Sequence, residues 1–114
     1  MTNLLKQVVE INQKLGQSDN ALSQPQPPAN GTASTTAADI VAANRDRKAI
    51  FIYNNDKDNG IYLNFGADAS TQSAIYYLEP GLTLLEDTVL AQMRISAVSA
   101  AGTVNYTYLE VLGG

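Results

Sequence analysis

"GIYLNFG", residues 60–66, alternates without a break: Ile61, Leu63 and Phe65 fall on one side of an extended chain, and Tyr62 and Asn64 fall on the other. Successive side chains of a strand point to opposite faces, so this pattern describes a strand with one face in a core. The same reading extends to both sides. "DIVAA" (39–43) and "KAIFIYN" (48–54) precede it; "AIYYLEPG" (74–81), "LTLLEDT" (82–88), "MRISAVSA" (93–100) and "TVNYTYLEVL" (103–112) follow. Turn chemistry separates these runs in "NNDKDNG", "ADASTQS", "EPG" and "AAGT". Short strands at about ten-residue spacing predict a mainly β domain over 38–114, an antiparallel β-sandwich or barrel of about six to eight strands.

The last strand leaves two registers open. Either Val104, Tyr106 and Tyr108 face inward, or Asn105, Thr107, Leu109 and Val111 do. A bulge near Tyr108 or Leu109 would let both halves bury their apolar residues, and that is the expected arrangement. A β domain of this size buries only about 60 % of its unfolded surface. With no cysteine to cross-link it, self-association is the expected source of further burial and of cover for edge strands.

Two segments precede the β domain. In residues 1–16, Met1, Leu4, Val8, Ile11 and Leu15 recur at alternating spacings of three and four, the seam of an amphipathic α-helix, and Gly16 is placed to end it. Lys6, Glu10 and Lys14 interrupt the run, so neither a signal peptide nor a membrane span is expected. Helices this short are marginal in water, so the seam needs a partner: another protein, the chain's own β domain, or copies of itself. A β-branched residue at the d position, Ile11 in this register, disfavours dimers and favours a trimer or higher bundle. Residues 17–37, "QSDNALSQPQPPANGTASTTA", contain Pro25, Pro27 and Pro28 and few large apolar residues. That composition predicts an extended linker arm, free or laid along a neighbour, with a reach of roughly 70 Å.

Composition narrows the chemistry. The chain of 114 residues carries a formal charge of −4 and has no histidine and no cysteine. An acidic chain is a poor general nucleic-acid binder, and the commonest general base, the commonest metal ligand and all thiolate sites are missing. "DKDNG" (56–60) resembles the start of a calcium loop, but its glycine comes fifth and no bidentate Glu follows; a solvated turn is the simpler reading. Glu86 and Asp87 are adjacent, so on a strand they face opposite ways and do not pair. Arg45, Arg47 and Lys48 surround Asp46 without a glycine-rich loop or interleaved aromatics. They read as a charged strand entrance, with Arg47 free to tie down a loop or carboxylate, or as contacts to a partner surface. Tyr62, Tyr76 and Tyr77 suit either sheet packing or an interface. No cofactor, metal or catalytic set is expected, and the chain is read as a non-enzyme.

Several stretches together carry a resemblance: Asn44 and Arg47 before Ile50-Phe51-Ile52, then Asn54-Asn55, "IYLNFG", "YLEPG" (77–81) and "ISAVSAAGTVNYTYLE" (95–110). This pattern resembles the small β-sandwich accessory proteins of tailed-bacteriophage virions, which decorate heads or form fibres. The chain departs from it at "PGLTLLED", where more polar, glycine-rich residues are typical. The resemblance implies a virion structural protein made in the host cytoplasm. It would be a capsid decoration or cement protein that binds the major capsid protein or another virion protein, as a homo-oligomer, with neither nucleic acid nor membrane as partner. A tail, fibre or baseplate module binding a host glycan is the alternative.

Overall fold

A computed structural model describes residues 24–113. The expected helix over residues 1–16, with its seam Met1, Leu4, Val8, Ile11 and Leu15, lies outside the described residues. Among the described residues nine strands form two antiparallel sheets: β1 (Gln24–Pro25), β2 (Ala29–Ala33), β3 (Ala38–Val41), β4 (Arg47–Asn54), β5 (Ile61–Phe65), β6 (Tyr76–Leu78), β7 (Thr83–Glu86), β8 (Ile95–Ser99) and β9 (Val104–Leu112). The first sheet runs β1-β9-β4-β7, with β2 also paired to β9, and the second runs β3-β8-β5-β6. From β2 onward the chain changes sheet at every connection except β5–β6. That path is the double-sheet jelly roll.

All seven strands expected from the sequence are present, within one or two residues at most ends but shorter at β6 and β7. Their cause is visible locally. Pro80 presets the chain for a turn and Gly81 takes φ +75°, which a side chain would oppose, so Leu82 N–H reaches Glu79 O at 3.2 Å. Between the sheets, Ile50 and Ile52 of β4 meet Ile61, Leu63 and Phe65 of β5, together with Leu78, Ile95, Val104 and Tyr106. Burying each large aliphatic side chain there contributes about 1.5–3 kcal/mol.

Two expectations are corrected. The Pro-rich stretch contains β1 and β2: Ala29–Ala33 pairs residue by residue with Tyr108–Val104. Pro27 and Pro28 lack the N–H a ladder needs, so they sit between the two short strands, and the sheet resumes where N–H groups return. Gly31 is opposite Tyr106, whose ring lies over it; a Cβ there would stand 2.3 Å from the hydroxyl oxygen. Only glycine leaves room for that buried ring.

The last strand has no bulge near Tyr108 or Leu109. Its pairing with β4 runs without interruption from Ala49↔Val111 to Asn54↔Tyr106. Both candidate registers are realised at once, because both faces are buried. Val104 and Tyr106 join the core between the sheets, while Leu109 and Val111 join Ala49 and Phe51 in a second apolar cluster on the opposite face. The bulge is instead on β4, where the register shifts between Arg47 and Ala49. The extra residue, Lys48, is exposed, and the shift turns Arg47 to the same inner side as Ile50.

Candidate functional site

The basic stretch divides into exposed and buried members. Arg45 and Lys48 are exposed, whereas Arg47 is 1 % exposed. Its guanidinium donates through Nε to Glu110 Oε2 at 2.9 Å, through Nη1 to Ala91 O at 2.7 Å and Met93 O at 3.2 Å, and through Nη2 to Ala42 O. A planar fork of five donors suits this set of acceptors, which come from the β3–β4 connection, the β7–β8 connection and β9. Arg47 is therefore an internal fastener, and its proposed role as a partner contact is corrected by its burial.

The tyrosines also separate. Tyr76 faces inward, its ring edge-on to Phe65 at 5.8 Å, and its hydroxyl donates to Glu86 Oε1 at 2.8 Å. A partner contact through Tyr76 is thus corrected as well. Tyr62 and Tyr77 pair across β5 and β6 on the outward face, with ring centroids 4.7 Å apart, and Tyr77 is 51 % exposed. Gly60 lies beneath the Tyr77 ring, where a Cβ would come within 2.3 Å of it.

Glu86 is 3 % exposed on the inner side of β7. Burial raises its carboxyl pKa, but the hydrogen bonds from the Thr88 hydroxyl, the Tyr76 hydroxyl and the Thr88 N–H together outweigh burial and leave it below the usual range. The Tyr76 phenol is raised in turn, first by that hydrogen bond and then by burial. A carboxylate depressed in the folded state adds stability above its unfolded pKa of about 4.3, and that contribution is lost as pH falls through the folded value. The stability gap between the wild type and Glu86→Gln is therefore expected to be constant near neutrality and to shrink below about pH 4.3. Urea unfolding between pH 7 and 3 measures it; a gap unchanged at pH 3 rejects this role for the charge.

"DKDNG" closes as a turn. The Asp56 carboxylate accepts the N–H groups of Asp58 at 2.9 Å and Asn59 at 2.6 Å, and these bonds lower its pKa. No group of three or more acidic side chains is placed to hold a metal among the described residues.

One feature was not singled out in the sequence. The most exposed large apolar side chains of the described residues are Ile75, Tyr77, Leu82, Leu85, Val89 and Met93, all within 75–93. That segment contains β6 and β7, the last strands of their respective sheets. The one available signal was the departure at "PGLTLLED": leucines replace the polar residues a solvated edge would carry.

No family model matches the chain, and no curated protein does. Solved structures are similar in fold. A subunit of Bacillus endospore appendages, described as a novel family of disulfide-linked pili, is 15 % identical, with 81 % of this chain and 88 % of that one covered at a TM-score of 0.50. An HTH_3-family transcriptional regulator from Vibrio cholerae is 8 % identical over 76 % of this chain and 42 % of its own, at 0.51. A de novo designed double-stranded β-helix is 11 % identical over 75 % and 99 %, at 0.49. Likeness at such identities concerns the fold alone, and a jelly roll serves many unrelated functions.

Proposed function

We propose that the chain is a non-enzymatic virion structural protein, a decoration or cement protein that binds the assembled head of a tailed phage and stabilises it. The observation carrying this reading is the set of exposed apolar side chains at the β7 edge of the first sheet. Leu82, Leu85 and Val89, with Ile75, Tyr77 and Met93 beside them in sequence, leave large apolar side chains in water. Leu82, Leu85 and Val89 lie within eight residues at and just after an edge strand, where an unpaired sheet border is open to a partner. The buried polar side chains, in contrast, are engaged in internal hydrogen bonds: Arg47 with Glu110, Asn54 with Leu78, Glu86 with Tyr76, Thr107 with Asn30. The partner is the major capsid protein or another virion protein, with a homotrimer as the assembling unit. Binding the closed shell and not its free subunits stabilises the shell by mass action.

The test is co-sedimentation with particles of the encoding phage stripped of this protein. Leu82→Asp with Val89→Asp should weaken binding at least about ten-fold, the loss expected when central apolar contacts are removed. Both side chains are half or more exposed, so the fold should tolerate the change. Wild-type protein that ignores the particles, or a variant that binds as well as wild type, defeats the proposal.

The exposed Tyr77 beside Tyr62 favours one second reading, a tail or fibre module that stacks a host sugar on these rings. Glycan-array binding that Tyr77→Ala abolishes would support it; silence on the array with firm binding to heads would remove it.

A further inference from the structure

We propose that the open edge of β7 takes an extended segment of the partner as a further antiparallel strand of the first sheet. The segment is apolar at alternate positions and basic at its ends. This rests on the reading above that the β7 edge is the docking border, and it adds how that border recognises its partner. Asn54 N–H donates to Leu82 O at 3.0 Å, and Gly81 N–H donates to Asn54 O at 3.0 Å. Bonded pairs recur at every second residue of an antiparallel ladder, so Ile52 and Ile50 turn their N–H and C=O groups to Leu84 and Glu86. Asn55 N–H, next along the chain, goes the other way, to Asn105 O of β9 at 2.9 Å, as the same alternation requires. Thr83 and Leu85 therefore aim N–H and C=O away from β4. Among the described residues no other strand pairs with β7, so these groups stand open.

Little in the sequence blunts this edge. Thr83–Glu86 contains neither Lys nor Pro, and its pairing with β4 has no bulge. The opposite border of the same sheet is built differently, with Pro25 in β1 and Pro27 and Pro28 between β1 and β2. In strand addition the main-chain bonds supply affinity and alternate side chains supply specificity. The side chain that lies opposite Leu85 meets an exposed leucine, with exposed Leu82 and Val89 to either side along the chain. Charge selects the occupant. Residues 58–93 contain Asp58, Asp68, Glu79, Glu86 and Asp87 and no Lys or Arg. Glu79, in the turn before β7, and Asp87, directly after it, are both exposed. A segment with Lys or Arg flanking its apolar residues is complementary to this border. A second copy of the same edge is a poorer occupant, because it would double the acidic charge along one short ladder.

The probe is a synthetic peptide, acetyl-Lys-Thr-Val-Thr-Val-Thr-Lys-amide, added at millimolar concentration to the isotope-enriched full chain. The amide signals of Thr83 and Leu85 should shift most, while that of Tyr62, on the outer face of the second sheet, stays in place. With a Val opposite Leu85, both Val N–H groups face β7 and the central Thr N–H faces away. N-methylation of both Val residues should therefore abolish the shifts, and N-methylation of the central Thr should not. The same peptide with Glu for Lys should bind at least about ten-fold more weakly. No shift at Thr83 and Leu85, shifts that survive Val methylation, or equal binding of the acidic peptide would each overturn the proposal. These controls leave the protein itself unaltered. Stripped phage heads supply the second arm. Thr83→Pro removes an N–H that no bond to β4 uses and keeps Leu82, Leu85 and Val89, so it should lower head binding several-fold. Equal binding by Thr83→Pro and wild type would overturn strand addition and leave the head-binding reading standing. Wild-type protein that ignores heads but takes the basic peptide would remove the head-binding reading and support this one.

Discussion

Replacing Arg47 with alanine is expected to destabilise the protein by about 3–5 kcal/mol, the cost typical of removing one partner from a buried ion pair. The loss has several parts. Glu110, 23 % exposed at its side chain, loses its cation, and the carbonyls of Ala42, Ala91 and Met93 lose a donor. A buried acceptor without a partner costs about 1–3 kcal/mol. Lysine in this place should recover less than half: its ammonium has three donors at one point, and the four acceptors are spread around a planar fork. Urea unfolding gives the stabilities. Hydrogen exchange gives the location, because loss of this fastener should first expose the 3-10 helix Val89–Gln92 and the Asn44 N–H, which is bonded to Gln92 O at 3.0 Å. A destabilisation under about 1 kcal/mol would mean that water replaces the guanidinium readily, and the interior role assigned to Arg47 would fail.

At the other end of the same strand, Asn54→Ala is expected to cost about 2–4 kcal/mol. Asn54 is fully buried. Its side-chain amide donates to Asn59 O at 2.9 Å and to Leu78 O at 3.1 Å, and its carbonyl oxygen accepts from Asp56 N–H at 2.8 Å. Leu78 belongs to the second sheet, so this one side chain joins the two layers where the turn 55–60 begins. Asn54→Asp is the sharper variant. It keeps the acceptor for Asp56 but aims a carboxylate at two carbonyl oxygens, so at neutral pH it should be less stable than the alanine variant. Acidification should narrow that difference, because the protonated acid regains a donor. If aspartate were tolerated at pH 7 as well as asparagine, the two donated bonds would have no energetic weight. Strand β4 is thus held at both ends by buried polar residues, Arg47 and Asn54, with Ile50, Phe51 and Ile52 between them.

Much of this could be read locally. Ile61, Leu63 and Phe65 lie in the core and Tyr62 outside it, as their alternation requires. The glycine of "EPG" has the positive φ that the turn demands. Arg47 was legible as a side chain able to tie down a loop, but not as a buried one: its acceptors are at 42, 91, 93 and 110, and no window of sequence contains them all. The Pro-rich stretch was read as a linker because composition speaks for a segment alone. Ala29–Ala33 gains its strand from β9, more than seventy residues away. The last strand misled for a related reason. A strand apolar on both sides suggests a bulge when one face is assumed wet, whereas here Leu109 and Val111 are as buried as Val104.

The amino-acid order alone determined where the chain extends and where it turns, because period-two alternation and Pro-Gly chemistry act over a few neighbouring residues. Only the tertiary structure decided which strands adjoin, which way Arg47 points and which leucines remain in water. Those outcomes depend on groups distant in sequence meeting within a few ångströms. A single bulge at Lys48 reverses the facing of Arg47, and local pattern does not contain that register.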